Sequence, residues 1–291
     1  MTKQTLDVGA ASLLTGICIL WGINAVAIKV GNAGIAPIFM AGIRSVIAAI
    51  TLMAWMKSRH MTLFPGRLGD GMVVGFLFGV EFGLLYSSIL YTTVASAWIL
   101  LYTSPFFHAL GAHYFLKGDR LSINKGIGLA LAFVGVVVLL SKHFGVPSPR
   151  QLLGDTLALS SAVIWAATTI YIKGRIVGRV SHHHTLLYQT LFSIPVLIIM
   201  SVLFEEEVIR QISALIVLSV VYQSIIIAFI SYLLWFYLVH AYPVSRLSAF
   251  TFLTPVFATM AGVLLLHEPL SLRVMLSLVL VSLGIYVVNL K

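Results

Sequence analysis

The sequence predicts an all-α integral membrane protein: ten transmembrane helices, built as two inverted five-helix repeats around a central cavity, with both termini cytoplasmic. Three observations support this prediction. The chain of 291 residues is 60% hydrophobic and only 9% charged, whereas soluble proteins carry about a quarter charged residues. Its apolar segments are long and continuous, which indicates helices rather than the alternating strands of a barrel. A motif of the first segment also recurs half a chain length later.

Ten apolar segments are long enough to cross a bilayer, because a helix needs about 20 residues to span roughly 30 Å of hydrocarbon. The connections between them are short and polar, so none can hold a soluble catalytic or receptor domain. We place the spans at residues 9–29, 37–56, 70–91, 93–116, 123–141, 152–172, 184–204, 212–238, 244–266 and 272–290.

The distribution of Lys and Arg predicts the orientation, since cytoplasmic loops carry an excess of these residues. With a cytoplasmic N-terminus, eleven of the 18 Lys and Arg residues lie inside and five outside, while Arg44 and Arg246 lie within spans. The net charge of +9 does not indicate a nucleic acid, because the basic residues are scattered over short loops. We therefore expect a multi-pass protein of the cell (inner) membrane with both termini in the cytoplasm.

The recurring motif indicates a duplicated architecture. Residues 19–31 read ILWGINAVAIKVG and residues 163–173 read VIWAATTIYIK, which aligns Trp21, Asn24 and Lys29 with Trp165, Thr168 and Lys173 at an offset of 144. Ser104-Pro105 likewise matches Thr254-Pro255 at an offset of 150. Each half, residues 1–145 and 146–291, holds five spans, so the second half enters the membrane from the opposite side. Inverted repeats are typical of secondary transporters, whose substrate site lies between the halves.

Glu81 is the one carboxylate in the middle of a predicted span, where an ionised group needs a partner or a proton. Arg44 in span 2 lies at a similar predicted depth, so we expect an ion pair. This pair is either functional, as a proton-coupling or substrate-ammonium site, or a fixed structural pair. Four glycines at positions 71, 75, 79 and 83 of span 3 predict a close-packed helix face. Glu81 points away from that face, towards a cavity or a further helix.

Lys29 and Lys173 are predicted at opposite faces of the membrane, each at the end of a Trp-containing helix. One interpretation is a symmetry-related pair of charges that attracts carboxylate substrates near the two entrances. The other is ordinary snorkelling of a Lys side chain at a helix end. Arg246, one turn into span 9, has the same two interpretations, an inner gate or snorkelling.

Aromatic and polar residues within the spans are candidates for the substrate site. Rings of Trp and Tyr suit apolar, aromatic or cationic small molecules through stacking and cation–π contacts, and packing between helices is the alternative for each ring. The full set of predicted substrate-binding residues, with the charged ones, is Trp21, Asn24, Lys29, Arg44, Glu81, Tyr86, Trp98, Tyr102, Trp165, Thr168, Tyr222 and Gln223.

Pro105 and Pro255 lie within spans at matching positions of the two halves. Proline removes a backbone hydrogen bond and kinks a helix. Both are therefore predicted to interrupt their helices and to act as hinges, with Lys173 and Arg246 as gating residues; a static curve is the alternative.

The run of three histidines at residues 182–184 is expected in a solvated loop rather than at a metal. Adjacent side chains of a helix diverge, and no Cys or carboxylate is close in sequence.

These motifs resemble the drug/metabolite transporter superfamily, and specifically its ten-helix EamA-type exporters. The resemblance extends over essentially the whole chain, twice. It depends on Trp21 and Lys29 in span 1 and on the stretch LTPVFATMAGVLLLHEPLS, with Pro255 within the helix and Glu268 just after it. The first half has the weaker version TSPFFHALGAHYFLKGDRLS, with Asp119 in place of Glu268. The resemblance implies export of small metabolites, with amino-acid exporters among the known members.

The sequence therefore predicts a secondary transporter that exports small organic metabolites, most of all amino acids, aromatic or other apolar ones included, by alternating access. The alternatives are a multidrug or organic-cation efflux carrier and, in a different class, a membrane-embedded enzyme, for which the spans hold no catalytic pair. The expected partners are the lipid bilayer and a small molecule, without cofactor, metal or nucleic acid. Proton coupling stays open, as does the choice between monomer and homodimer.

Overall fold

A computed structural model of the chain describes residues 6–92, 94–140, 148–266 and 272–290. The regular structure of these residues is helical, and two π-helical segments, Ile172–Ile176 and Tyr222–Ser231, continue or join the α-helices. The α-helices are α1 (Val8–Asn32), α2 (Pro37–Ser58), α3 (Leu68–Ile89), α4 (Val94–Leu101), α5 (Ser104–Phe115), α6 (Ile123–Leu140), α7 (Pro149–Tyr171), α8 (His182–Phe204), α9 (Ala214–Val221), α10 (Tyr232–Ala241), α11 (Val244–Phe250), α12 (Leu253–Leu266) and α13 (Leu272–Asn289).

The all-helical prediction is confirmed for the described residues, whose helices occupy the segments predicted as spans. Ile123–Leu139 and Met275–Asn289 are shorter apolar helices. Among the described residues, the helices long and apolar enough to cross a membrane are Val8–Asn32, Pro37–Ser58, Leu68–Ile89, Pro149–Ile176, His182–Phe204, Ala214–Ala241 and Val244–Leu264.

The prediction that Pro105 and Pro255 interrupt their helices is confirmed. Residues 102–103 separate α4 from α5, and residues 251–252 separate α11 from α12. Proline offers no N–H to the carbonyl four residues earlier, and its ring clashes with that carbonyl. The helix therefore stops one turn before each proline and restarts with the proline in its first turn.

Two stretches of π-helix depart from the predicted regular helices. Tyr222–Ser231 lies within the predicted span 212–238 and joins α9 to α10, whereas Ile172–Ile176 follows α7 and extends beyond the end of the predicted span 152–172. The longer stretch contains neither proline nor glycine, so its local sequence does not signal a departure from the α-helix. Such segments are frequent at functional sites, and both of them border the cavity between the helices.

The glycine stripe of α3, which the sequence predicts to be a close-packed face, lies against α8. A Cβ atom at Gly75 would lie 2.7 Å from the carbonyl carbon of Phe192, and one at Gly79 would lie 2.7 Å from Cβ of Val196. Both distances are shorter than the contact distance of carbon atoms. The two helices can therefore approach only because these positions carry no side chain. Glu81 lies off this face and borders the cavity.

Contacts between the two halves of the chain occur in matched pairs. α6 packs along α13, and α2 packs along α8. The contact of α1 with α12 has its counterpart in the contact of α7 with α5. Ser45 and Ser193, which are 148 residues apart, face each other between α2 and α8 through a hydrogen bond of 3.2 Å between their hydroxyl groups. Two related halves around a pseudo-two-fold axis would give this pattern.

The packing of α3 on α8 predicts that Gly75→Ala destabilises the fold. The added methyl group would overlap the backbone of Phe192, and overpacking of this kind costs about 1–3 kcal/mol. Gly16→Ala is the control, because no atom lies within 4 Å of a Cβ at Gly16 and Ala favours the helix over Gly. Thermal unfolding of the purified variants in detergent measures the difference. Equal melting temperatures for the two variants would contradict the close approach.

Candidate functional site

A cavity lies where helices from both halves of the chain meet. Its walls come from α1, α2, α3 and α4 in the first half, and from α7, α8, α10, α12 and both π-helical segments in the second. The empty volume is about 840 Å³, which includes the open mouth. Its lining combines aromatic rings with a few buried polar groups, as the lining of a small-molecule site commonly does.

The structure brings eight of the twelve predicted substrate-binding residues together in this cavity. Seven of them lie on α1, α2, α3, α4 and α7, and Tyr102 lies in the break after α4. Their contact with a substrate stays a prediction. The eight residues are Trp21, Asn24, Arg44, Glu81, Trp98, Tyr102, Trp165 and Thr168.

Aromatic rings form a continuous surface in the cavity, which we call the aromatic wall: Trp165, Trp21, Tyr232, Phe78 and Phe82. The centroid of the Trp21 ring lies 6.3 Å from that of Trp165 and 5.9 Å from that of Tyr232. Phe78 continues the wall, 5.9 Å from Tyr232 and 4.7 Å from Phe82. The rings pack edge-to-face or tilted, which is the favourable geometry for aromatic pairs. The wall therefore offers a rigid apolar surface to a ligand.

Trp21 lies at the centre of this wall and is held by its neighbours. Its Nε1 donates a hydrogen bond of 2.9 Å to Oγ of Ser231 in the π-helical segment. The next residue, Gly22, faces α12, and a Cβ atom there would lie 2.8 Å from the backbone nitrogen of Ala258. The glycine lets α1 approach α12, and this approach places the adjacent indole in the cavity.

Arg44 and Glu81 share the cavity but do not form the ion pair that the sequence predicts. Both side chains are buried, with 2% and 5% of their surface exposed, yet their charged groups lie more than 4.0 Å apart. The prediction used the depth of each residue along its helix, and depth does not fix the rotation of the helices. In the described part of the chain, Arg44 Nε and Nη2 and Glu81 Oε2 have no hydrogen-bond partner.

Arg44 instead lies against the aromatic wall. Its guanidinium carbon is 4.4 Å from the centroid of the Phe82 ring, a cation–π geometry. Glu81, which precedes Phe82 in α3, is also buried and lines the cavity. Neighbouring helices α2 and α3 therefore each contribute one buried charged residue to the cavity.

Sequence reasoning missed several cavity residues, among them Phe78, Phe82, Gln189, Tyr232 and Thr254. Two of them carried a signal. Thr254 matches the position of Ser104 in the repeated motif, and Gln189 is a polar residue in an apolar span, so both could have been predicted as cavity residues. No sequence signal separates the phenylalanine rings of a cavity from those of ordinary helix packing.

Polar groups of the cavity differ in how they are satisfied. Oγ1 of Thr168 donates to the carbonyl oxygen of Ile164 at 2.8 Å, as a Thr in a helix commonly does. Asn24 Oδ1 is buried and, among the described residues, has no partner. This atom is therefore available to a ligand in the cavity.

Four predicted substrate-binding residues do not line the cavity: Lys29, Tyr86, Tyr222 and Gln223. Lys29 is exposed in the last turn of α1. Tyr86 packs beside Phe82, with ring centroids 5.8 Å apart. The hydroxyl of Tyr222 donates to the carbonyl oxygen of Leu20 at 3.0 Å, and Nε2 of Gln223 donates to Oγ of Ser219 at 3.0 Å. The π-helix turns both of these side chains towards α1, α2 or their own helix.

The predicted gating residues lie at helix ends and breaks. Nζ of Lys173 donates to the carbonyl oxygens of Val239 at 2.5 Å and Tyr242 at 2.9 Å, as a basic side chain near the C-terminal end of a helix commonly does. Nη1 of Arg246 donates to the carbonyl oxygen of Asn289 at 3.4 Å, at the end of α13. Pro105 and Pro255 follow the two helix breaks, and their movement as hinges stays a prediction.

The three histidines do not lie in a solvated loop, as the sequence suggested, because α8 already begins at His182. The ring of His183 stacks on Trp55 with centroids 5.1 Å apart. Nε2 of His184 lies 2.7 Å from the carbonyl oxygen of Thr62. Among the described residues, no group of three or more His, Cys, Asp or Glu side chains is placed to hold a metal ion.

The acidic residues of the repeated motif can be compared only in the first half, since Glu268 lies outside the described residues. Asp119 accepts hydrogen bonds from Nζ of Lys125 at 2.7 Å and from the backbone nitrogen of Ser245 at 3.0 Å. It also accepts a hydrogen bond from the Ser245 hydroxyl. Asp119 therefore ties the loop before α6 to the start of α11, away from the cavity.

Comparison with known proteins gives two kinds of match. The model of the EamA-like transporter family matches residues 9–141 and again residues 152–290. A protein of known crystal structure has the same fold, with a TM-score of 0.85 at 23% sequence identity, over 97% of this chain and 98% of that chain.

Two relatives are similar over nearly their whole length. The uncharacterized transporter YvbV of Bacillus subtilis (strain 168) is 29% identical over 291 residues, which cover 99% of this chain and 94% of the relative. The probable amino-acid metabolite efflux pump of Escherichia coli (strain K12) is 26% identical over 291 residues, which cover 96% of this chain and 93% of the relative.

Tryptophan fluorescence should report binding in the cavity, because four of the five tryptophans of the chain line it and Trp55 does not. Titration with apolar amino acids is expected to change the emission of the wild type and of Trp55→Phe alike. Trp165→Phe is expected to reduce the change. A response that disappears in Trp55→Phe and persists in Trp165→Phe would place the binding outside this cavity.

Lys173→Met should lower the melting temperature, whereas Lys29→Met should leave it unchanged. The first variant removes a charged donor from the carbonyl groups at the end of α10, a loss of about 1–3 kcal/mol. The second removes an exposed charge at the end of α1. Thermal unfolding of both variants in the same detergent gives the comparison, and an equal loss in Lys29→Met would refute the different roles of the two lysines.

Proposed function

The chain belongs to the EamA-like transporter family, within the drug/metabolite transporter superfamily, and on this premise we propose that it exports small organic metabolites, above all amino acids, by alternating access. The family makes it a multi-pass membrane transporter. The observation that carries the finer proposal is the cavity that both halves of the chain line, since the substrate site of a secondary transporter lies between its halves.

The proposed architecture has ten transmembrane helices in two inverted five-helix repeats, residues 1–145 and 146–291. The family model matches each half separately. Gly135 faces the carbonyl oxygen of Ser277, and Gly284 faces that of Gly128; an offset of 149 residues exchanges these two contacts. The excess of Lys and Arg in alternate loops supports cytoplasmic termini and a place in the cell (inner) membrane.

Helix breaks beside the cavity support alternating access. Tyr102 lies within the first break and Thr254 just after the second, and both line the cavity. Discontinuous helices at the substrate site are a feature of secondary transporters. We assign the hinge role to Pro105 and Pro255, whose helices could tilt at the breaks without losing further backbone hydrogen bonds. Lys173 and Arg246, at the ends of neighbouring helices, are the proposed gating residues.

The substrate class follows from the lining of the cavity. The aromatic wall suits an apolar or aromatic group. Buried polar atoms of Asn24, Arg44 and Glu81, which have no hydrogen-bond partner among the described residues, suit a polar head. An amino acid with an apolar or aromatic side chain has both parts. The relative in Escherichia coli is named a probable amino-acid metabolite efflux pump, which agrees with this class.

A second candidate is efflux of organic cations. Glu81 beside aromatic rings would attract a cation, and Glu81 is also the residue we would assign to proton coupling. Arg44 in the same cavity opposes this candidate, because a buried positive charge repels a cationic substrate. The amino-acid proposal accounts for both charges.

Transport by the purified protein in proteoliposomes tests the proposal. Counterflow of labelled phenylalanine and leucine is expected in the wild type. Trp165→Ala, which removes part of the aromatic wall, is expected to lower the uptake rate at low substrate concentration about tenfold. Tyr222→Phe is the matched control, because its side chain lies outside the cavity, and it should keep the wild-type rate.

The same vesicles distinguish the two candidates. Runs with and without a pH gradient show whether transport is coupled to protons. Counterflow of a cationic dye without counterflow of either amino acid would support the second candidate, and equal loss in Trp165→Ala and Tyr222→Phe would argue against the cavity as the transport site.

A further inference from the structure

We propose that the cavity recognises a zwitterion through its two charges separately, with Arg44 binding the carboxylate, Glu81 binding the ammonium group and the aromatic wall contacting the side chain. This inference rests on the proposed transport function and specifies which part of the substrate each side of the cavity binds. It makes a free carboxylate and a free amino group on the same molecule a requirement for tight binding.

The first observation is that Arg44 is a buried donor that lacks an acceptor. Its side chain is 2% exposed, and within the described residues Nε and Nη2 have no hydrogen-bond partner. Phe82 covers one face of the guanidinium but accepts no hydrogen bond in the plane of that group. Nε and one Nη atom present a fork that fits the two oxygens of a carboxylate.

The second observation is that Glu81 is a buried acceptor that lacks a donor. Its side chain is 5% exposed and lines the cavity, and Oε2 has no partner among the described residues. Leaving a buried charged group unsatisfied costs more than any ordinary hydrogen bond contributes. An ammonium group has three donors on one atom and satisfies this oxygen directly.

The other buried charges of the described chain have partners, which sets these two residues apart. Asp119 binds Lys125 and Ser245, and Asp70 accepts a hydrogen bond of 2.7 Å from the hydroxyl of Tyr171. The fold can therefore satisfy buried charges where it needs them for structure. In the cavity, by contrast, Arg44 Nε and Nη2 and Glu81 Oε2 have no hydrogen-bond partner among the described residues.

The separation of the two charges favours a zwitterion over an ion of single charge. Arg44 and Glu81 lie more than 4.0 Å apart, and their attraction falls with that distance. A zwitterion bound between them would replace the long-range attraction of Arg44 and Glu81 by two short attractions, of its carboxylate to Arg44 and of its ammonium group to Glu81. A simple amine or acid would neutralise one residue and leave the other buried without a counter-charge, which is strongly unfavourable.

The aromatic wall fixes the direction of the bound molecule. It begins at Phe82, against which the Arg44 guanidinium packs, and ends at Trp165. A ligand with its charged head between Arg44 and Glu81 therefore extends its side chain along the rings of Phe78, Tyr232 and Trp21. Apolar and aromatic amino acids fit this arrangement, whereas the apolar wall gives no partner to a charged side chain.

Competition for counterflow tests the inference with ligands that differ only in the head group. Phenylalanine, phenylethylamine and phenylpropionate share the aromatic tail, and leucine, isopentylamine and isocaproate form a second series. In the wild type, each amino acid is expected to compete about ten- to hundredfold better than its amine or its acid.

Variants that neutralise each of the two residues assign the charges. In Glu81→Gln, phenylalanine should compete no better than phenylpropionate, because the ammonium group has lost its partner. In Arg44→Gln, phenylalanine should compete no better than phenylethylamine. Arg44→Lys keeps the positive charge and should keep part of the preference for a carboxylate, and it remains informative if Arg44→Gln does not fold. Lys29→Gln removes a charge outside the cavity and should keep the full preference.

Several outcomes would overturn the inference. One is a single-charge analogue that competes as well as its amino acid in the wild type. Another is an equal loss for all three ligands of a series in both variants, at unchanged melting temperature, which would indicate a structural role. Efficient transport of amines or acids but not of amino acids would refute zwitterion binding, although the protein would still be a transporter of small organic molecules. If the folded protein carries none of the six compounds, the proposed function itself fails.

Discussion

The fold depends on the absence of water from the bilayer interior, which obliges the protein to satisfy its own backbone polar groups there. The two helix breaks show how it does so. Oγ1 of Thr103 donates to the carbonyl oxygen of Leu100 at 2.6 Å, and Oγ1 of Thr251 donates to that of Ser248 at 2.7 Å. Sγ of Cys18 donates to the carbonyl oxygen next to the second break. With these groups satisfied, two helices can be discontinuous beside the cavity at little cost.

The same bilayer gives helices no hydrophobic reason to associate, so close packing by small residues has to hold them. Gly75 and Gly79 bring α3 against α8, and Gly22 brings α1 against α12. On each of these helices the residue facing the cavity is large or charged, Glu81 in one case and Trp21 in the other. The two features are linked. Close packing at the glycines fixes the rotation of each helix, and that rotation directs the large or charged side chain into the cavity.

Features determined by local chemistry could be predicted from the sequence. The length of the apolar segments predicted the helices, and the two prolines predicted the breaks. Glycine at every fourth position of α3 predicted a close-packed face, which lies against α8 in the structure. Features that depend on the rotation of a helix about its axis could not be predicted. The ion pair of Arg44 and Glu81 was predicted from the depth of each residue in the membrane alone, and depth does not determine the direction in which a side chain points. Tyr222 and Gln223 lie in a π-helix, where the α-helical phase does not tell which face a side chain occupies.

The helix contacts of the two halves are matched, but the buried charged residues of the cavity are not. Ser45 and Ser193 meet at an offset of 148 residues, and the same offset takes the adjacent Arg44 to Phe192, which lies against α3 and not in the cavity. Both buried charges of the site therefore come from the first half, while Trp165, Tyr232 and Gln189 come from the second. Matched halves suit a movement that opens the cavity to each side of the membrane in turn. Under the proposed binding mode, the two unmatched charges would hold the bound molecule in a single orientation throughout that movement, with its charged head on α2 and α3 and its apolar group along the aromatic wall.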